Sequence, residues 1–306
     1  MTHHFFIAGG SGFVGSHLVE YLIGKGEQVT VADLMPPSSS NKLASYLDKI
    51  NYMWKNMNDL QEKDFDSVDY VIYLAAQADV PLAISSPRYT FDINILSLVH
   101  VLELLRSKQK TKLIYLSSKN VYGKVPENRI PIIEEETLRP TDPYGASKAA
   151  ADLTCQSYSN AYGLPITILR SGGIFGPRSR PTQVIPTFIR QAQKNEKISI
   201  QGDGSQATDF NYILNLVEAI MLATEKDAVG IYNISYGEEV SIIELTDLII
   251  ETTNSKSQIN YLPWRPGEKG MKLALSIEKA SKELGYHPKV SLKNGIQMTL
   301  EWMQNK

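Results

Sequence analysis

Phe5-Phe6-Ile7-Ala8-Gly9-Gly10-Ser11-Gly12-Phe13-Val14-Gly15 decides the fold of this 306-residue chain. Four apolar residues in a row read as a short buried strand, and the glycines after them open a helical pattern running through Ile23. A second apolar run, Gln28-Val29-Thr30-Val31-Ala32, ends in Asp33. Strand, glycine turn, helix, strand and acid in that order make the dinucleotide-binding βαβ unit. Gly9, Gly12 and Gly15 allow a tight turn and close approach of backbone to a pyrophosphate. The helix opening at Phe13 and Val14 offers free N–H groups and the favourable end of its dipole to the same anion. Asp33 stands where a carboxylate accepts hydrogen bonds from both hydroxyls of an adenosine ribose. It would repel a 2′-phosphate, and Leu34-Met35 supply no arginine to receive one, so NAD is expected rather than NADP.

Tyr144-Gly-Ala-Ser-Lys148 adds chemistry to that frame. Residues four apart share a helix face, so the Lys148 ammonium can reach the ring edge of a residue beside Tyr144. A nearby cation favours phenolate over phenol and lowers a tyrosine pKa from its reference of about 10. Tyr144 is then suited to act as general base on a substrate hydroxyl. Upstream, apolar runs alternate with helical patterns. Strands are expected near 5–8, 28–32, 51–54, 70–74, 112–116 and 165–169, and helices beginning near 12, 41, 87 and 143. This is the pattern of an α/β doubly wound parallel sheet, whose ligands bind at the carboxyl ends of its strands. Asp33 and Ser117-Ser118 both fall at such ends. From Ser171 to about Thr208, and again after Ser235, the alternation is lost.

Composition excludes several other classes. The net charge is −2 and the charged residues are scattered, so neither a nucleic-acid nor a membrane surface is expected. No apolar stretch approaches the ~18 residues of a membrane span. The N-terminus enters a strand without the pattern of a cleavable signal. The single Cys155 leaves no internal disulfide and suits a reducing, cytoplasmic setting. His3-His4 lack the separated ligand spacing of a zinc site, so no metal is expected. Pro36-Pro37-Ser38-Ser39-Ser40 reads as a loop over the adenine end of the cofactor.

The glycine spacing, Tyr144 with Lys148, and Ser117-Ser118-Lys119-Asn120-Val121-Tyr122-Gly123 together resemble the extended short-chain dehydrogenase/reductase family. Within it the chain is similar to the NAD-dependent sugar-nucleotide epimerases and dehydratases. The resemblance runs nearly end to end, through Leu74-Ala75-Ala76-Gln77, Asn94, Gly176-Pro177-Arg178, Gly202-Asp203-Gly204, Arg265-Pro266-Gly267-Glu268 and Leu284-Gly285-Tyr286. It implies a Rossmann-type domain over 1–170 with 209–235 returning to it, and a small, discontinuous substrate-binding domain over 171–208 and 236–306. It assigns catalysis to Ser118, Tyr144 and Lys148, with Lys148 also bonding the nicotinamide ribose. Leu34, Asn56 and Met57 would lie beside the adenosine, although the family's usual acid is Asn56 here. Leu74, Ala75 and Ala76 would pass the pyrophosphate, and Asn94 would brace the region of Lys148. The family's dimers, built from two helices of each subunit, imply a homodimer through the helices beginning near 87 and 143.

The substrate implied is a nucleoside-diphosphate sugar, most simply a UDP-sugar. Gly173 stands where relatives carry an asparagine, and Thr208 where they carry a diphosphate-binding arginine. Arg265 and then Arg180 are left to bind the diphosphate, since arginine's planar fork suits it. Ser199 and Gln201 fall where relatives read the base. Dehydratases of the family carry an Asp-Glu pair after the catalytic Thr, whereas Lys119-Asn120 come after Ser118 here. The resemblance therefore implies a C4 epimerase working through transient oxidation to a 4-keto sugar. Dehydratase, decarboxylase and reductase remain alternatives from the same family. A non-catalytic NAD sensor on the same fold would be marked by loss of Ser118, Tyr144 or Lys148, and all three are present.

Overall fold

The computed structural model describes residues 2–264 and 270–305. Along them the first strands are β1 (His4–Ala8), β2 (Gln28–Asp33), β3 (Asn51–Trp54), β4 (Tyr70–Tyr73), β5 (Lys112–Ser118) and β6 (Ile166–Ser171). Next come β7 (Gly173–Phe175), β8 (Ile198–Gln201), β9 (Ala207–Tyr212), β10 (Gly230–Ile234), β11 (Glu239–Ser241), β12 (Ile259–Leu262) and β13 (Lys272–Leu273). The helices that matter for the site are α1 (Phe13–Gly24), α2 (Val80–Ser85), α3 (Pro87–Phe91), α4 (Ser97–Leu105) and α5 (Pro143–Tyr162).

The chain divides into two compact units. The first takes the chain up to Gly123, then Thr137–Arg170 and Val217–Tyr232. Its seven-stranded sheet has the order β10-β6-β5-β4-β1-β2-β3. From β3 to β5 the pairs are parallel, with Ile7 opposite Val31 on one side and Ile72 on the other. Such strands are buried on both faces and read as unbroken apolar runs, which is why Phe5-Phe6-Ile7-Ala8 shows no alternation. Phe6, Val71, Leu102, Leu113 and Ile166 meet in one core cluster. Chain order reverses between β1 and β4, and the carboxyl ends of those two strands flank the switch point where doubly wound sheets bind ligands.

The second unit comprises Lys124–Glu136, Ser171–Leu216 and the chain from Asn233 onward. Its boundaries differ from those expected. Residues 209–216 stay with it because β9 is the hub of its small sheet, pairing β7, β11 and β13. Lys124–Glu136 joins it because Ile132 N–H donates to the Ala274 carbonyl at 2.8 Å and Asn233 N–H to Glu134 Oε1 at 2.8 Å. Those partners are far apart in sequence, beyond the reach of local pattern.

Two helices differ as well. The one expected from 41 is a 3₁₀ segment over Ala44–Lys49. Leu43 N–H donates to the Ser40 carbonyl and Tyr46 N–H to the Leu43 carbonyl, while buried Ser40 and Leu43 pin the chain ahead of it. The one expected from 87 is broken into α3, a wide π-turn over Asp92–Leu96, and α4. Among the described residues no helix is long and apolar enough to cross a membrane, and no group of side chains could hold a metal ion.

Candidate active site

The turn from β1 into α1 is built around backbone contacts that exclude side chains. Gly9 has φ of +84°, and a Cβ there would sit 2.8 Å from the Ala75 nitrogen, so the exits of β1 and β4 pass at backbone distance. A Cβ on Gly15 would lie 2.6 Å from the Gly10 α-carbon, so α1 packs directly on the turn. At Gly12, the N-cap, a Cβ would meet only the Gly9 carbonyl, at 3.1 Å, and otherwise face open space. No side chain caps α1 and no acid stands in its first turn. An uncapped helix N-terminus with a glycine floor fits the pyrophosphate of a dinucleotide.

Asp33 ends β2. Its Oδ2 accepts the Ser11 N–H at 2.9 Å and its Oδ1 the Met35 N–H at 3.0 Å. Each oxygen keeps capacity for a further donor, which is what a ribose diol requires. Leu34 is exposed beside it. Leu74, Ala75 and Ala76 are half-buried where the chain leaves β4. Asn56 accepts the Asn58 N–H and so caps a 3₁₀ turn, while Met57 is buried in the core.

Ser118 closes β5, buried, and its Oγ accepts the Asn120 N–H at 3.2 Å. Tyr144 sits in the first turn of α5. Asp142 caps that helix by accepting the Gly145 N–H at 2.9 Å, and Pro143 opens it, so the position of Tyr144 is locally determined. Lys148, one turn on, is buried. Its Nζ donates to the Leu116 carbonyl at 2.6 Å and lies 4.5 Å from the centre of the Tyr115 ring. The ring that the ammonium meets is thus supplied by β5. Burial pulls Lys148 down to about 8, opposed by the negative charge that Asp152 brings near it.

Asn94 lies in the π-turn, a distortion often found at functional sites. Its Oδ1 accepts the Gln77 N–H at 2.8 Å, and its Nδ2 donates to the Gln77 carbonyl at 2.9 Å and to Ser147 Oγ at 2.8 Å. It ties the exit of β4 to the residue before Lys148.

A buried network that sequence reasoning missed lies on the same side. Arg170 Nε donates to Asp152 Oδ2 at 2.8 Å and its Nη2 to Oδ1 at 3.2 Å, a bidentate pair. Arg170 Nη1 donates to the Tyr122 hydroxyl at 2.9 Å, and Ser117 Oγ to Asp152 Oδ2 at 3.2 Å. The network ties the ends of β5 and β6 to α5, and β5 and α5 are the elements that carry Ser118 and Tyr144. Two signals could have found it. Asp152 is one turn beyond Lys148, and Arg170 directly follows the strand expected over 165–169.

The remaining expected residues belong to the second unit. Gly173 opens β7 opposite Phe210, and Arg180 is half-buried. Ser199 Oγ accepts from Asn260 Nδ2 at 3.1 Å across the β8–β12 pair, and Gln201 faces Leu262 in the same ladder. Gly202, at φ +66°, lies so close under the Trp264 indole that a Cβ would fall 2.3 Å from it. Thr208 donates to the Leu273 carbonyl at 3.3 Å. Arg265 lies outside the described residues.

Residues 5–235 match the model of the NAD dependent epimerase/dehydratase family. The chain is 34% identical over 304 residues to a putative UDP-glucose 4-epimerase of Methanocaldococcus jannaschii, covering 98% of each chain. It is 32% identical to human dTDP-D-glucose 4,6-dehydratase, covering 97% of this chain and 88% of that one. Its structure is similar to that of a Thermotoga maritima UDP-glucose 4-epimerase with UDP-glucose, with a TM-score of 0.90, 31% identity and 99% of each chain covered. With a glycine turn fitted to a pyrophosphate and a carboxylate at the end of β2, and with relatives aligned over nearly its whole length, the chain belongs to the NAD-dependent sugar-nucleotide epimerase/dehydratase family and takes NAD as its cofactor.

Proposed function

We propose that this chain is a C4 epimerase of a nucleoside-diphosphate hexose, with a UDP-hexose as substrate. The observation that carries the reading is the pair of residues directly after Ser118. Lys119 and Asn120 open a short 3₁₀ turn there, so neither position offers a carboxylate to move protons at C5 and C6. The likeness to the M. jannaschii and T. maritima proteins supports it.

NAD, when bound, supplies the acceptor and then the donor of a hydride. Gly9, Gly12 and Gly15 with the start of α1 would hold its pyrophosphate, and Asp33 its adenosine ribose. Tyr144 takes the proton of the sugar C4 hydroxyl while C4 loses its hydride, which leaves a 4-keto sugar. Ser118 shares the hydrogen bond to that oxygen. The Lys148 ammonium, buried and lodged between the Leu116 carbonyl and the Tyr115 ring, favours the phenolate form of Tyr144. When hydride returns to the opposite face of C4 and Tyr144 gives the proton back, the product is the C4 epimer. Mass and redox state are unchanged.

Exposed Leu96, Leu153 and Tyr162 on the segments around α4 and α5 support a homodimer through those helices, which light scattering would read as twice the monomer mass. The activity is tested by incubating the purified protein and NAD with UDP-glucose, UDP-N-acetylglucosamine and UDP-glucuronate, then separating products by chromatography and mass spectrometry. Interconversion at constant mass with no added reductant is expected. Loss of water, loss of carbon dioxide or consumption of reduced nicotinamide as the main reaction would replace the epimerase reading by the matching alternative.

A further inference from the structure

Asp33 does not stand alone at the end of β2. Tyr52 and Trp54 of β3 are two apart and so project from the same face of the neighbouring strand, where the register sets Val31 beside Tyr52 and Asp33 beside Trp54. The Tyr52 hydroxyl donates to the Met35 carbonyl at 2.6 Å, and the Trp54 indole N–H to the Leu34 carbonyl at 2.9 Å. Both aromatic side chains tie down the segment after Asp33.

Counting protons extends the chain of bonds. Tyr52 has one hydroxyl proton, and the Met35 carbonyl takes it. The 2.7 Å contact between Ser11 Oγ and Tyr52 Oη is therefore donated by Ser11. Ser11 has no second proton, so the 3.0 Å contact between Ser40 and Ser11 is donated by Ser40. The result is a one-way relay from Ser40 through Ser11 and Tyr52 to the Met35 carbonyl. Ser11 and Ser40 are buried. The backbone N–H groups of Ser11 and Met35 are meanwhile engaged by the Asp33 carboxylate. Lys55, the next residue after Trp54, donates to Asp64 at 3.0 Å. A ribose diol needs acceptors and finds them at Asp33. A 2′-phosphate needs donors, and the hydroxyl protons of this cage all point inward.

We propose that Tyr52 is a second determinant of the choice of NAD over NADP: by terminating the Ser40–Ser11–Tyr52–Met35 relay it fixes the loop after Asp33 and withholds hydroxyl donors from a 2′-phosphate. Repulsion by Asp33 is one part of the discrimination, and the engagement of the Ser40, Ser11 and Tyr52 hydroxyl protons is the other. Removing the Tyr52 hydroxyl frees the Ser11 proton and unties the Met35 carbonyl, while the ring still fills its place.

The test is calorimetric titration of the intact protein with NAD and with NADP, comparing wild type, Tyr52→Phe and Ser40→Ala. In Tyr52→Phe the ratio of Kd for NADP to Kd for NAD should fall roughly three- to tenfold, the effect of about one hydrogen bond. Ser40→Ala removes the bond that ties the loop after Asp33 to Ser11 but leaves the Ser11 proton on Tyr52, so through the loosened loop alone it should shift the ratio the same way by less. It also keeps the proposal testable should Tyr52→Phe fold poorly. The proposal is overturned if the ratio is unchanged in the variants that fold, or if both dinucleotides weaken by the same factor, which is what a purely structural tyrosine would produce. Failure of the wild type to bind either dinucleotide would instead refute the cofactor assignment and the proposal with it.

Discussion

Replacing Asn94 by alanine removes three hydrogen bonds at once, of 2.8, 2.9 and 2.8 Å, from a side chain that is 2% exposed. A net hydrogen bond contributes about 1 kcal/mol, and a buried group left unpaired costs ~1–3 kcal/mol. The Gln77 N–H loses its acceptor in a buried setting, whereas Ser147 Oγ still donates to the Tyr144 carbonyl at 2.7 Å. The sum is about 3 kcal/mol for Asn94→Ala. In a unit of this size that is a fall in Tm of about 6–12 °C, at ~2–4 °C per kcal/mol. Paired thermal unfolding scans of wild type and variant at matched concentration read it directly. Asn94→Asp is the companion. It keeps an acceptor for the Gln77 N–H but sets an acceptor against the Gln77 carbonyl, and so should fall by at least as much. A shift under about 2 °C in Asn94→Ala would mean that the β4 exit and α5 are held together by something other than this side chain, and the reasoning would fail.

Further outcomes are expected at Tyr144 and Lys148. Tyr144→Phe should bind NAD with near wild-type affinity by calorimetry yet lose about 10²–10⁴ in turnover, because only the hydroxyl is removed; retention of turnover would displace Tyr144 from its role. Because burial lowers Lys148 to about 8, kcat/KM should fall as pH rises through that value, where the free enzyme loses the ammonium. The same shift carries a stability signature of definite sign. Between about 8 and the ordinary lysine value the unfolded chain holds the proton and the folded one does not, so stability rises with pH across that window. Lys148→Met should flatten both trends, and a variant whose stability profile still tracked the wild type there would refute the assignment.

The parts of the site that the sequence made legible are those whose determinants are neighbours along the chain. The glycines of the β1–α1 turn, the carboxylate ending β2 and the spacing of Tyr144 and Lys148 are each local patterns with one geometric meaning. Other features depend on residues distant along the chain or on contacts made only in the fold. The ring that receives the Lys148 ammonium is Tyr115, far upstream on another element, and nothing near Lys148 announces it. The Asp152–Arg170 pair requires α5 and β6 to be juxtaposed before it exists. The division into units was misjudged at 124–136 and 209–216 because short strands acquire their identity from partners, and β9 finds its partners on β7, β11 and β13. Likewise the π-turn at Asp92–Leu96 could not be anticipated, since its composition continues the helical pattern without interruption.

The interleaving of the two units has a consequence for how the chain leaves the ribosome. The sheet of the first unit runs as far as β6 by residue 171, but one of its two edge strands, β10, is not synthesised until 230–234. During the intervening translation β6 presents an open edge, with its main-chain donors and acceptors free to pair with another nascent chain. At ~5–20 residues per second that interval lasts several seconds. Growth temperature and the supply of chaperones during those seconds should therefore influence how much soluble protein is recovered.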